Sequence, residues 1–285
     1  MKNVKTFTMG GRNLHLLFLT TVGSTVHKLN TENSDVDLKG VFVWDNEEYF
    51  SLREPYNLLT HNKVLKEEWA ELMLQLNEEF NLTLSDDDVD VSFFELKTFF
   101  NTTLKNDFNM FDMLFSDLEP LFLSDFFKHT LSVKEKFFDS EKFKFRFEGM
   151  SKGALKEASR LYRKEELNSK QDNDLKKLSA KSLQFLFSLS NLYTDKTYNP
   201  VLKEKQRLEV LEVKKGNLNF EYAKKRHYEL LEVVEEQSLL NDSFKCTSDL
   251  EHLNFVLTNT YKEVFFFLET FKNKNSKKFL KTKRL

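Results

Sequence analysis

The segment of residues 22–42 constrains this chain more than any other part of its sequence. An apolar run is followed by Gly23 and Ser24, and a second apolar run carries Asp35 and Asp37. Apolar runs separated by turn-forming residues predict two strands joined by a turn and a short helix. Glycine permits a tight turn, and a serine that begins a helix leaves free N–H groups aimed at an anion. The segment therefore predicts a phosphate-binding turn next to acidic residues.

The acidic residues Asp35 and Asp37 predict a metal site. Side chains two positions apart in a strand point to the same face, so the two carboxylates are expected side by side. At about 4 Å, two like charges repel by about 4 kcal/mol where the effective dielectric constant is near 20. A bridging cation removes this repulsion, and Mg²⁺ binds oxygen ligands while keeping positions for substrate phosphates. The alternative is a polar turn before a strand, because Asn33 and Ser34 are turn-forming residues.

These residues resemble the signature of the nucleotidyltransferase superfamily that includes DNA polymerase β, in which a strand, Gly-Ser, a short helix and Asp-x-Asp follow one another. Residues 34–43, Ser-Asp-Val-Asp-Leu-Lys-Gly-Val-Phe-Val, look like a run in the predicted nucleotidyltransferases of bacteria and large phages. Weaker similarity extends the resemblance to about residues 14–240. It implies a two-metal mechanism, an NTP substrate, and β and γ phosphates held by Gly23 and Ser24.

The resemblance also implies a third carboxylate on a later strand. Residues 88–92 read Asp-Val-Asp-Val-Ser, so Asp88 and Asp90 would share one face of a strand. Asp90 matches the third acid of the family better, while Asp88 and a solvated acidic loop are the alternatives. In the family this acid acts as a general base on the incoming hydroxyl or holds the catalytic metal. The implied metal ligands are therefore Asp35, Asp37 and Asp90.

Three further residues of the N-terminal region are candidates for contact with the nucleotide. His27 falls in the first turn of the predicted helix, where it would contact a phosphate or sugar; the alternative is an exposed helix histidine. Lys39 and Arg12 would balance the charge of a triphosphate, and the alternative for both is a solvated charge beside a strand.

Other parts of the chain match the subfamily less closely. Residues 109–115, which include Asp112, are similar to its Asn-x-x-x-(Glu/Asp)-x-Leu-Phe segment. The family usually has an aromatic residue where this chain has His27. Its helical half often has a histidine and an arginine one turn apart, where this chain has Lys181 and Gln184. These departures concern the choice of nucleotide and acceptor more than the metal chemistry.

Composition and spacing predict an α+β protein. Only 7 glycines and 3 prolines occur in 285 residues, which favours many helices and few turns. The 30 phenylalanines are interpreted as core residues, because phenylalanine at helical spacing is usually buried. We predict a polymerase-β-like catalytic domain with a mixed sheet and helices over residues 1–122, an all-α helical bundle over 123–271 and a basic tail over 272–285. Candidate helices lie near residues 66–79, 126–138, 151–168, 172–193, 201–215, 219–241 and 247–272.

Charge is unevenly distributed along the chain. The net charge is −2, yet residues 272–285 contain a dense group of lysines and an arginine. Such a tail favours a polyanionic partner such as RNA, or is a solvated terminus. Cations in the helical half would frame the triphosphate or acceptor, or form a solvated face with partners one turn away, such as Glu157 for Arg160. These cations are Arg160, Arg163, Lys164, Lys177 and Lys181.

The sequence thus predicts a Mg²⁺- or Mn²⁺-dependent enzyme that moves an NMP from an NTP to a hydroxyl. The acceptor stays open among an RNA end such as that of tRNA, a protein and a small molecule. The alternative is a non-catalytic module that binds RNA or a host protein. The single cysteine, Cys246, excludes an intramolecular disulfide and suits the cytoplasm, which would be the host cytoplasm for a phage protein. We predict no signal peptide and no membrane partner, and the oligomeric state stays open.

Overall fold

The computed structural model describes residues 3–31, 37–52, 54–84, 91–240 and 247–282, with side chains up to residue 270. Within these ranges, six strands form one mixed sheet with the path β1-β2-β3-β5-β4, and β6 pairs with β2. The β3 and β5 strands are parallel, and the other pairs are antiparallel. The strands are β1 (Lys5–Met9), β2 (Arg12–Val22), β3 (Asp37–Trp44), β4 (Leu58–Leu59), β5 (Val91–Glu95) and β6 (Phe122–Leu123).

Helices cover both faces of the sheet, because its central strands are apolar on both sides. Along β3, Val41 and Val43 join one core, while Phe42 and Trp44 join a second core with the first long helix. The helices are α1 (Lys66–Phe80), α2 (Leu96–Thr103), α3 (Phe108–Phe115), α4 (Asp125–Ser132), α5 (Ser140–Tyr162), α6 (Ser169–Asp195), α7 (Glu204–Lys215), α8 (Phe220–Leu240) and α9 (Leu250–Thr282). The predicted fold class, a mixed sheet with helices followed by a helical region, is confirmed.

The helical half is built around α6. This helix packs against α5, α7 and α8, and nearly all of its residues 182–193 are buried. Phenylalanines from α3 and α5 pack with Tyr198 in a cluster of edge-to-face contacts, with ring centroids about 5 to 6 Å apart. The interpretation of phenylalanines as core residues holds for this cluster. Among the described residues, no helix combines the length and apolar character needed to cross a membrane.

Several predicted helix boundaries are wrong. The α5 helix begins at Ser140 rather than near residue 151, because Asp139 caps it by accepting a hydrogen bond from the Lys142 backbone N–H. The α4 helix ends at Ser132, and the remainder of the predicted helix is a short 3₁₀ helix. The last helix continues to Thr282, into the predicted tail.

The largest hydrophobic core contains residues from both halves of the chain. Phe18 and Val22 of β2 belong to the same core as Phe185 of α6 and Val264 of α9. The sheet and the helical region are therefore packed against each other over a continuous apolar interior. The division into domains near residue 122 stays a prediction.

Candidate functional site

The Gly-Ser turn lies at the end of β2, beside the start of β3. Val22 pairs with Asp37 across the two antiparallel strands, so Gly23 follows directly beside this carboxylate. Gly23 has a φ of 69°, and a Cβ atom at this position would collide with the Asp37 carboxylate. Glycine is therefore needed here for two reasons, the left-handed backbone and the close approach of the acid.

The residues after Ser24 form successive turns, and the predicted short helix is wrong. The His27 N–H donates to the Gly23 carbonyl at 3.3 Å, the Leu29 N–H to the Ser24 carbonyl at 2.8 Å and the Lys28 N–H to the Thr25 carbonyl at 3.1 Å, so overlapping turns cover residues 23–29. Lys28 then has a φ of 54°, and a residue in this left-handed conformation ends helical winding. The turn still presents backbone N–H groups near its start, as the predicted helix would.

A cavity of about 420 Å³ lies between this edge of the sheet and the helical half. The sheet side brings together five predicted site residues, which are Gly23, Ser24, His27, Asp37 and Lys39. The helical side contributes α6 and α7, and its lining residues include Lys177, Lys181, Gln184, Phe185, Val210 and Lys214. The sequence predicted the sheet side in detail, but it did not single out Lys214.

The remaining predicted carboxylates, Asp35, Asp88 and Asp90, lie outside the described residues. Among the residues that are described, no three His, Cys, Asp or Glu side chains are grouped so as to hold a metal ion. Of the three implied metal ligands, Asp37 is the one whose position is described, at the wall of the cavity. The β5 strand begins at Val91, which pairs with Leu38, so the chain enters this strand next to Asp37.

His27 is almost fully buried, so the alternative of an exposed histidine is wrong. Its Nδ1 lies 2.6 Å from the Pro200 carbonyl, and its Nε2 lies 2.8 Å from Oδ2 of Asp112. The ring also stacks on Phe108 with centroids 4.9 Å apart. A carbonyl only accepts, so Nδ1 carries a proton. His27 therefore ties the Gly-Ser turn to α3 and to the segment before α7.

Asp112 is the buried partner of this histidine, and the sequence assigned it no role. Tyr198 donates to its second oxygen at 2.9 Å. Burial raises the pKa of Asp112 above the usual carboxyl range, against the lowering effect of His27 and Tyr198. Burial alone would lower the pKa of His27, but the Asp112 charge and the hydrogen bonds to Asp112 and Pro200 raise it above its usual value. Because both pKa values are raised, the pair of side chains keeps a shared proton to a higher pH than either side chain would in water.

The cations around the cavity differ in their partners. Lys39 is buried and donates to Ser92 at 2.9 Å, and Lys214 donates to the Leu29 carbonyl at 2.7 Å. Lys177 and Lys181 lie one turn apart on α6 and form no ion pair with any residue that the structure describes. The predicted solvated pair does form elsewhere, between Arg160 and Glu157 at 2.9 Å. Within the described part of the chain, the charges of the two α6 lysines are thus not offset by an ion pair, and the hydrogen bond of Lys39 to a neutral hydroxyl leaves its charge in place as well.

The other cations considered from the sequence do not line the cavity. Arg12 lies at the opposite end of β2 from the Gly-Ser turn, with its guanidinium 5.1 Å from the Trp44 ring centroid and 5.2 Å from that of Tyr56. Arg163 and Lys164 also lie outside the cavity lining. The cations at the site therefore come from β3, α6 and α7.

Comparison with known proteins gives a family match over most of the chain. Residues 3–252 match the model of the RNA repair pathway DNA polymerase beta family, RlaP. The chain belongs to this family. The resemblance to polymerase-β-like nucleotidyltransferases is thereby confirmed at the level of the family, because the match covers most of the chain.

Other comparisons are more distant. The nucleotidyltransferase-like protein from Exiguobacterium sibiricum aligns with a TM-score of 0.33 and 10% identity, over 80% of this chain and 72% of that one. No curated protein matches this sequence.

In this member of the RNA repair pathway DNA polymerase beta family, the cavity has two chemically different parts. Lysines from β3, α6 and α7 line the cavity together with the Gly-Ser turn, and such a group of cations attracts a polyanion. The rest of the wall is largely apolar and includes Phe108, Met150 and Phe185. This combination suits a ligand that joins a chain of phosphates to a flat apolar group.

Proposed function

We propose that this protein is a divalent-metal-dependent nucleotidyltransferase that moves a nucleoside monophosphate from an NTP to the hydroxyl of an RNA end. The observation that carries the proposal is the cavity itself, in which Gly23, Ser24 and Asp37 of the sheet face Lys177 and Lys181 of α6. Membership of a polymerase-β-like family supports the reaction class.

The residues at the turn fit a divalent cation. The missing side chain of Gly23 leaves room for the Asp37 carboxylate directly beside the turn. A carboxylate next to phosphates is a donor set that Mg²⁺ takes, since Mg²⁺ combines one or two carboxylates with phosphate oxygens and water. We assign Asp37 as a ligand and, from the sequence, Asp35 and Asp90. When bound, Mg²⁺ or Mn²⁺ supplies charge neutralisation at the phosphates and lowers the pKa of the acceptor hydroxyl.

The residues of the chain bind and orient the triphosphate. Backbone N–H groups of the turn at Gly23 and Ser24 hold the β and γ phosphates, as N–H groups at the start of a helix do. Lys181 and Lys39 offset the charge of the phosphates. His27, whose two ring nitrogens both contact protein groups, positions the turn rather than touching a phosphate.

The transfer step is an in-line displacement. The acceptor oxygen forms a bond to the α-phosphorus, while the bond from that phosphorus to the oxygen bridging the β-phosphorus breaks and pyrophosphate leaves. The hydroxyl proton passes to a carboxylate, for which we propose Asp90. The reaction thus needs one NTP and one hydroxyl, and it consumes no oxidant or reductant.

An RNA end is the favoured acceptor. The name of the family refers to an RNA repair pathway, and the basic segment 272–285 would add attraction for a phosphate backbone. A protein or small-molecule acceptor remains an outcome of the experiment.

The experiment is a transfer assay with each α-³²P-labelled NTP, Mg²⁺ and total cellular RNA. We expect label in RNA with the unmutated protein, and a loss of about a hundredfold or more in Asp37→Asn, because the variant lacks the carboxylate charge beside the phosphates. The matched control is Asp117→Asn, which makes the same change at an exposed aspartate outside the cavity lining. Circular dichroism melting of both variants checks that the fold is kept.

The assay also distinguishes the alternatives. Label in protein instead of RNA would replace the proposed acceptor while keeping the reaction. An absence of label with every NTP, together with an absence of metal-dependent NTP binding, would overturn the enzyme assignment in favour of a non-catalytic binding module.

A further inference from the structure

Gln184 is a buried side chain in the cavity wall with an unused hydrogen-bond donor. Its exposed fraction is 6%, and its Nε2 has no hydrogen-bond partner among the described residues. A buried amide N–H without a partner costs free energy, and most such groups in folded proteins are bonded. Less than 1 Å² of Nε2 is exposed in the free protein, so the amide must rotate for this donor to meet a ligand. Because Gln184 lines the cavity, the unpaired donor points to an acceptor that arrives there with a ligand.

The position of Gln184 relates this donor to the two lysines of α6 that line the same cavity. Lys177, Lys181 and Gln184 are spaced at i, i+4 and i+7, which places them on one face of the helix. Along this face the chemistry changes from two cations that have no ion-pair partner among the described residues to a neutral amide. A ligand lying along it would carry anionic groups at one end and an uncharged acceptor at the other.

The side chains around the amide suit a flat ring. Phe185 follows Gln184 on α6. The rings of Phe108 and Phe185 meet edge to face, with centroids 4.9 Å apart and an interplanar angle of 85°. Met150 of α5 also lines the cavity, and its flexible thioether packs well against aromatic rings. A buried, largely apolar wall with one polar amide is a typical setting for recognition of a nucleobase edge.

We propose that Gln184 recognises the nucleobase of the incoming NTP, with Nε2 donating to an acceptor on the edge of the base. The proposal rests on the proposed function, since it assigns the base end of the same nucleotide.

The test compares ligands with and without a base. Isothermal titration calorimetry in Mg²⁺ measures the Kd of each of the four NTPs and of inorganic tripolyphosphate, for the unmutated protein and for Gln184→Met. The variant keeps the side-chain length and removes the donor. The matched control is Gln237→Met on α8, outside the cavity lining.

The expected result is specific to the base. The Kd of the preferred NTP should rise about tenfold in Gln184→Met, and the spread among the four NTPs should shrink, because one hydrogen bond to the base is lost. The Kd of tripolyphosphate should not change. Without ligand, Gln184→Met should melt at the same or a higher temperature, since it removes an unpaired buried donor.

Three results would overturn the inference. These are an unchanged NTP affinity in Gln184→Met, an equal weakening of NTP and tripolyphosphate, and a weakening confined to an RNA oligonucleotide. If the proposed function itself were wrong, the unmutated protein would bind neither NTP nor tripolyphosphate, and this result differs from all three.

Discussion

At the scale of single residues, Gly23 has the most restricted position in the site. It combines a positive φ with so close an approach of the Asp37 carboxylate that a Cβ atom at this position would collide with it. The sequence predicted the glycine for its turn, since Gly-Ser after an apolar run is a strong local signal. The second reason is the room that Gly23 leaves for a carboxylate fourteen residues later, which depends on strand pairing and was not visible in the sequence.

Substitution of Gly23 tests this double role. Gly23→Ala should lower the free energy of unfolding by about 1 to 3 kcal/mol and should abolish NTP binding, because the new Cβ strains the backbone and displaces Asp37. Gly11→Ala is the matched control, since Gly11 also has a positive φ, of 75°, but open space around it. Urea unfolding and calorimetry measure both quantities. Similar loss of NTP binding in the two variants would disprove the role of the close approach.

The pair of His27 and Asp112 should make the free energy of unfolding depend on pH. The raised pKa of His27 means that the folded state keeps its proton above the usual value near 6.5, where the unfolded state releases it. The stability from this proton is complete below pH 6.5 and is lost as the pH rises through the raised value. Asp112→Asn should lower the free energy of unfolding by about 3 to 5 kcal/mol and flatten this alkaline decline.

Denaturant unfolding at pH 6 and pH 8.5 checks this prediction, with Asp117→Asn as the control that should keep the decline. An unchanged pH dependence in Asp112→Asn would show that the pair holds no extra proton. The sequence contained a signal for Asp112, in the segment of residues 109–115 that resembles the subfamily, but no signal that it meets His27, because 85 residues separate the two.

At the scale of elements, the helical half is held by polar contacts as well as by its apolar core. The Oγ of Ser151 on α5 donates to the Ser182 carbonyl on α6 at 2.6 Å and lies 3.2 Å from Nδ1 of His227 on α8. Burial lowers the pKa of His227 to about 4, and the charge of Lys152 acts in the same direction. His227 is therefore neutral at pH 7 and joins three helices.

Because its pKa is lowered, His227 should make the protein less stable in acid, whereas His27, with its raised pKa, should make it less stable in alkali. As the pH falls from about 6.5 to about 4, the unfolded state takes up a proton that the folded state resists, so stability declines. His227→Gln should remove most of this decline and lower the melting temperature at pH 7 by a few degrees, because buried contacts are weakened. Thermal melts at pH 7 and pH 4.5 measure both effects. An acid decline that persists in His227→Gln would assign it to other groups.

The elements themselves were predictable where periodicity was strong. The α1, α6 and α8 helices lie close to their predicted ranges, since each has a clear apolar face. The start of α5 was not predictable. Residues 140–150 contain several phenylalanines and lysines without a clear break, and the Asp139 cap is one polar residue among many. The segment after Ser24 does not continue as a helix, because Lys28 adopts a left-handed conformation. The tertiary contacts of the neighbouring His27 help to fix this conformation.

At the scale of the whole molecule, the site exists because the sheet edge and the helical half pack against each other. The motif from Gly23 to Lys39 was readable from the sequence, since its residues are close along the chain. The opposite wall, with Gln184 and Lys214, comes from distant residues whose convergence depends on the packing of α6 and α7. Sequence spacing alone could not separate Lys177 and Lys181 from other helix cations such as Arg160.

The central claim is that one nucleotide lies in this cavity, with its phosphates at the Gly-Ser turn and its base at α6. The most direct measurement is a crystal structure with Mg²⁺ and an NTP analogue that carries a methylene group between the α and β phosphorus atoms. We expect the β and γ phosphates within hydrogen-bond distance of the backbone N–H groups at Ser24, and a base edge within hydrogen-bond distance of Gln184 Nε2. An analogue bound elsewhere on the protein, or an empty cavity at a saturating concentration of the analogue, would contradict it.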